Sequence, residues 1–113
     1  STLTGYREGA LIGTAYKASY VLIHTEDDSG ERLQEEAFWL FGAEFADSVG
    51  VDVINSSLGY TAFDDSSTDH TYADLNGNKT IAARAADWAA ATGMVVVVAA
   101  GNEGNKAWRY IAT

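Results

Sequence analysis

Neither cysteine nor proline occurs among the 113 residues of this chain. Without cysteine there can be no disulfide, no thiolate nucleophile and no thiolate metal site. Without proline, the turns fall to the eleven glycines and to Asn, Asp and Ser. Basic residues are scarce, seven Lys and Arg against 16 Asp and Glu, which leaves a net charge of −9. That balance argues against nucleic acid and anionic membrane as partners, because phosphate binding needs clustered cations. No apolar run approaches the roughly 18 residues of a membrane span, and no basic, apolar, small-residue leader opens the sequence. What is present is apolar and aromatic: the chain is 47% hydrophobic, with three Trp, six Tyr and four Phe. Such a composition describes one globular domain with a real core, not a disordered segment.

The periodicity alternates between strand and helix. Tyr20–Ile23 reads as a short strand after the turn-like Gly13–Ala18. Leu33–Val49 reads as a helix, with Leu33, Ala37, Leu40, Phe41, Phe45 and Val49 at helical spacing and Phe38 and Trp39 widening the apolar face. Glu35 and Glu36 complement the dipole at its start, and Gly50 ends it as a cap. Val51–Ser56 is a second strand, running into Ser57-Leu58-Gly59. Tyr60–Lys79 is a polar loop of about twenty residues, a length usually functional or mobile. Thr80–Thr92 is a second helix with Ile81, Ala85, Trp88 and Ala89 on one side, capped by Gly93. Met94–Ala100 follows as a third strand, its β-branched run suited to burial on both faces. This order predicts an α/β fold, a three-layer sandwich with a mainly parallel sheet and right-handed crossovers.

Two strand ends carry the candidate chemistry. Asn102 lies in Gly101-Asn102-Glu103-Gly104, at the carboxyl end of the third strand, where open α/β sheets place their ligand sites. Its amide can donate to a carbonyl oxygen that develops negative charge, although Gly-Asn-Glu-Gly is also an ordinary strand-to-loop turn. Ser57-Leu58-Gly59 is either a strand running into a glycine turn or an exposed strand end that pairs with an extended peptide. The acidic groups Glu26–Asp28, Glu31, Glu35–Glu36 and Asp64–Asp65 with Asp69 read as solvated loop and helix-start residues. His24 reads as a strand-edge or loop residue and His70 as a solvated one. Asp74–Asn78 begins like a calcium loop, but Lys79 stands where the glycine should be and Ala85 replaces the bidentate Glu, so no metal site is assigned.

Taken in order, the strand-Ser-Leu-Gly segment, the amphipathic helix and the strand-Ala-Ala-Gly-Asn-Glu-Gly segment resemble the subtilisin-like (subtilase) serine peptidases. The resemblance runs over nearly the whole chain. It implies a partial subtilisin-like fold in which residues 1–113 are the middle of a catalytic domain. It implies that Asn102 is the side-chain donor of an oxyanion hole. It also implies that Ser57, Leu58 and Gly59 bind the substrate residues before the scissile bond, and that Ala99, Ala100 and Gly101 wall the primary specificity pocket. A second substrate strand would fall near Glu31–Gln34, where acidic neighbours would favour basic side chains in the substrate. The resemblance implies a protein or peptide substrate, a secreted or periplasmic-type parent, no cofactor in this segment, and room for calcium in the intact parent.

The departures weigh as much as the matches. The family's His-Gly-Thr and Gly-Thr-Ser-Met-Ala contexts, which carry the His and Ser of the triad, do not occur here, and Asp-Ser-Gly occurs once, at Asp28-Ser29-Gly30. The residues present offer no substitute triad. The expectation is therefore a serine endopeptidase segment that is inactive alone. The alternative is a non-catalytic peptide-binding or interaction module with a subtilase-like fold. A nucleotide-binding domain is disfavoured, because no glycine-rich phosphate loop follows a strand. In the family's sheet a further strand separates the counterparts of Tyr20–Ile23 and Val51–Ser56. Without it, those two strands should pair directly, or the unpaired edges should drive self-association.

Overall fold

The computed structural model describes residues 2–112; Ser1 and Thr113, the ends of the expected domain, lie outside the described residues. A small antiparallel hairpin opens the chain, β1 (Tyr6–Arg7) against β2 (Leu11–Ile12). The remaining elements are α1 (Gln34–Ser48), β3 (Val53–Ser56), two single-turn 3-10 helices at Ser66–Thr68 and Tyr72–Asp74, α2 (Ile81–Ala91) and β4 (Val95–Val98). β3 and β4 pair in parallel, Val53 opposite Val95 through Ser56 opposite Val98, and α2 is the crossover between them. The chain is thus mixed α/β with one parallel sheet, as the alternation of periodicities predicts. Among the described residues no helix is long and apolar enough to cross a membrane.

Each helix ends where its sequence says it must. Gly50 and Gly93 follow the helices with φ of 76° and 108°, left-handed angles that only glycine adopts without steric cost. At the start of α2, Thr80 is the cap, its side chain accepting from the Ala83 N–H at 3.3 Å.

The two helices pack against each other and, together, onto one face of the sheet. Trp39, Ala43 and Ala46 of α1 meet Ala85 and Ala89 of α2 and Met94, with Ile54 and Val96 of the sheet packed beneath them. The small alanines let the helix axes approach closely. A second cluster of Tyr60, Phe63 and Ala82 joins the start of the long loop to α2.

Four expectations are corrected. Tyr20–Ile23 forms no strand and does not pair with β3; with no ladder partner its backbone gains nothing from extension, and Leu22 is 92% exposed. The sheet is covered on one face only, so a full three-layer sandwich is not formed. Val53, Val95 and Val97 lie on the other face, about half exposed at 55%, 57% and 49%, so the valine run is not buried on both faces. The buried face of α1 is also rotated from the expected one: Glu35, Glu36, Trp39, Ala43 and Ala46 are inside, while Phe41, Phe45 and Val49 are exposed. Alanine, being small, gives α1 its contact with α2 beside Trp39, whereas Phe41 and Phe45 stay exposed. On α2, Trp88 is likewise exposed, and Ala82 joins Ala85 and Ala89 in the buried row.

Candidate substrate cleft

The parallel register sets the two candidate segments side by side. The ladder's last rung is the Ala99 N–H donating to the Ser56 carbonyl at 2.9 Å. Beyond it no backbone hydrogen bond joins Ser57–Gly59 to Ala99–Gly101 among the described residues. The strand ends therefore separate, and a cavity of roughly 380 Å3 opens between them. Leu58, Ala99 and Ala100 line it, with Ala82, Ala83 and Ala86 of α2 behind.

The other expected site residues, Ser57, Gly59, Gly101 and Asn102, are exposed and are not among the residues that line the cavity. Gly101 has φ of 87°, and a Cβ there would stand 3.1 Å from the Ala112 methyl. That turn swings the chain out of β4 and presents Asn102. The Asn102 amide makes no hydrogen bond to any described residue, so its donors are free for a ligand. The chain then loops back, and the Ala112 N–H donates to the Ala100 carbonyl at 3.0 Å, which brings Ile111 and Ala112 to the cavity as a side wall.

The cavity floor is fixed by polar contacts that reach across elements. The Trp39 indole N–H donates to the Ser56 Oγ at 2.9 Å, tying α1 to the end of β3. Glu36, fully buried, accepts from the Ala82 N–H of α2 at 3.0 Å through one carboxylate oxygen. Through the other it pairs with His70 Nε2. A carboxylate at that place satisfies an orphan N–H of α2 and its positive dipole end. His70 is therefore not a solvated loop residue: its side chain is 11% exposed and its ring packs edge-on against Phe63. Sequence reasoning placed Glu36 on its own helix's dipole and missed this tie. Two buried-face glutamates in succession at a helix start, on the same side as Trp39, were the available signal.

Glu35 turns the other way and accepts from the Asp27 and Arg32 N–H groups at 2.8 and 3.0 Å. Tyr60 donates to Glu26 at 2.7 Å, and burial first, then that bond, drives its phenol pKa well above the usual value. Glu31 is pushed up by burial and by the charges of Glu35, Glu26 and Asp64. Glu31–Gln34, the expected second substrate strand, is not a strand. The Glu31 carbonyl accepts from the Asp64 N–H at 2.9 Å, and Gln34 already begins α1.

Among the described residues no three His, Asp or Glu side chains converge to hold a metal ion. In the calcium-like stretch, the Asp74 carboxylate is occupied by Lys79 Nζ at 2.5 Å and by the Thr71 N–H and hydroxyl at 2.8 Å. These residues do not fit a calcium ion.

The parallel strand pair thus runs into an apolar cleft lined by Leu58, Ala99 and Ala100. The sequence matches the Subtilase family over residues 3–112, and the chain belongs to that family. Family membership relates it to the serine peptidases and to protein substrates. No curated protein and no solved structure matches it.

Proposed function

We propose that this chain is the middle segment of a serine endopeptidase catalytic domain, and that it supplies substrate binding and oxyanion stabilisation without supplying the nucleophile. The observation that carries the reading is that Leu58 of one candidate segment and Ala99 and Ala100 of the other line one cavity, beyond the Ser56–Val98 register and the last rung at Ala99. An extended peptide pairs by backbone hydrogen bonds with the unladdered Ser57–Gly59. Its side chain before the scissile bond enters the cavity beside Ala99, Ala100 and Gly101. Attack by a serine carried elsewhere in the parent puts negative charge on the carbonyl oxygen, and the Asn102 side-chain amide donates to it.

The His and Ser motifs of the triad do not occur in this chain, so residues 1–113 alone are inactive. Self-association through the unpaired edges of β3 and β4 belongs to the same reading, as does a secreted or periplasmic-type parent in which any calcium is held by other segments.

Asn102→Ala in the intact gene product tests the assignment. The expected result is a fall in kcat of about 10²–10³ with KM little changed, a magnitude taken over from the removal of such a donor in a subtilisin. An unchanged kcat would remove Asn102 from the mechanism.

The second reading, a peptide-binding module, is favoured by the cleft being formed by this chain alone. Saturable binding of extended peptides by residues 1–113, together with an intact product that hydrolyses none, would select it. Replacing Gly59 by a bulky residue should then abolish that binding.

A further inference from the structure

The cleft has a wall that neither strand end provides. Leu75 and Gly77, from the long Tyr60–Lys79 loop, line the cavity opposite Ala99 and Ala100. A loop of that length normally costs order to hold still, but this one is fastened on both sides of Leu75. Before it, Thr71 and Asp74 cap each other reciprocally, His70 is tied to the buried Glu36, and the Tyr72 ring stacks on Tyr110 at 3.9 Å. After it, Lys79 returns to Asp74 at 2.5 Å, and the Asn76 side chain accepts from the Asn78 N–H at 2.9 Å. The Leu75 N–H itself donates to the Tyr72 carbonyl at 3.2 Å. The wall is therefore in place before any ligand arrives.

We infer that Leu75 is the size-determining residue of the cleft, setting the largest apolar side chain that it accepts from a peptide substrate. The inference rests on the peptidase reading above and deepens it. The strand ends contribute Leu58 and Val98 with the small Ala99 and Ala100, and Trp39 and Tyr60 line the cavity from buried positions. Leu75 is the large apolar side chain that the loop contributes, and it is half-buried, so a change there alters the cavity before it alters the core. A single methylene of misfit in an apolar pocket changes kcat/KM about 10-fold or more. The loop, not the family's strand motifs, is then the part that tunes selectivity in this chain.

The test profiles the intact gene product, and its Leu75→Ala, Leu75→Met and Leu75→Trp variants, on peptides differing only in the residue before the scissile bond. Leu75→Ala should raise kcat/KM for Phe relative to Ala by about tenfold, and Leu75→Trp should lower the same ratio by a similar factor. Leu75→Met, close in volume, should keep the wild-type order. Cleavage by all four with ratios within about twofold of one another would overturn the inference and leave the peptidase reading standing. An intact wild-type product that cleaves no peptide would overturn both.

A second readout needs neither catalysis nor a folded variant. Titrating the 113-residue chain with N-acetyl-leucinamide should shift the NMR methyl signals of Leu75 together with those of Ala99 and Ala100. Shifts at the two alanines without Leu75 would overturn the wall assignment while keeping the cleft.

Discussion

The two faces of the β3–β4 sheet are built from the same kinds of residue and meet opposite fates. On the helix side, Ile54 and Val96 lie under the alanine rows of α1 and α2, and Ser56 is held by the Trp39 indole. On the far side, Val53, Val95 and Val97 are about half exposed, with Asn55 exposed beside them. Strand geometry gives each face alternate residues, so the difference lies in what each face has to pack against. The covered face is also the one whose strand ends diverge into the cleft. The helix contacts and the candidate cleft therefore share one side of the sheet, while the other side is left largely uncovered. Exposed apolar patches of this kind mark interaction surfaces or aggregation liabilities.

The comparison can be broken most forcefully from the covered side. Trp39→Ala should cost about 3–5 kcal/mol in urea denaturation, since it opens a cavity and strips Ser56 of its donor. Glu36→Ala should cost a similar amount, about 3–5 kcal/mol, because a buried ionic partner is removed from His70 and the α2 N-terminus loses an acceptor. Glu36→Gln, which can still accept from Ala82, should cost clearly less. If these changes cost no more than those on the bare face, the two faces are not different in kind.

Smaller effects should follow away from the core. Thr80→Ala removes the cap on α2 and should lower stability by about 1 kcal/mol, with helix loss by circular dichroism confined to the transition. Threonine at Val53, Val95 and Val97 should change stability by less than about 0.5 kcal/mol per site. The same triple change should lower the average mass in sedimentation at high concentration. A wild-type chain that stays monomeric at all concentrations would refute the association part of the account.

Acid titration gives the smallest effect and a definite sign. Lys79 first, then the Thr71 N–H and hydroxyl, hold the Asp74 carboxyl well below its ordinary pKa of 3.8. A carboxyl whose folded-state pKa is lowered contributes stability above the unfolded value and loses it as pH falls through the folded one. The stability difference between wild type and Asp74→Asn should therefore be constant near neutrality and shrink only below about pH 4. A difference that grows on acidification would contradict the assigned pair.

How much of this was legible beforehand follows from which interactions are local. Helix caps at Gly50 and Gly93 were readable because capping is settled within a few residues. The parallel strand pair was readable because strand, crossover helix and strand fix it. The buried face of α1 was not. Its aromatics form the stronger apolar stripe, but helix contact was decided by Ala43 and Ala46 fitting against Ala85 and Ala89. Tyr20–Ile23 has a strand's composition and no ladder, because β pairing depends on a partner that no local pattern reveals. The Glu36–His70 tie joins residues 34 apart in sequence, and the contribution of Leu75 to the cleft depends on a loop whose path only the fold determines.

The central claim is that this chain provides the cleft and the oxyanion donor, while the nucleophile lies outside it. Treating residues 1–113 and the intact gene product in parallel with a fluorophosphonate probe, followed by peptide mapping, tests this directly. The account predicts no labelling of the 113-residue chain and one labelled serine in the intact product, outside these residues. Stoichiometric labelling of any serine within residues 1–113 would contradict it.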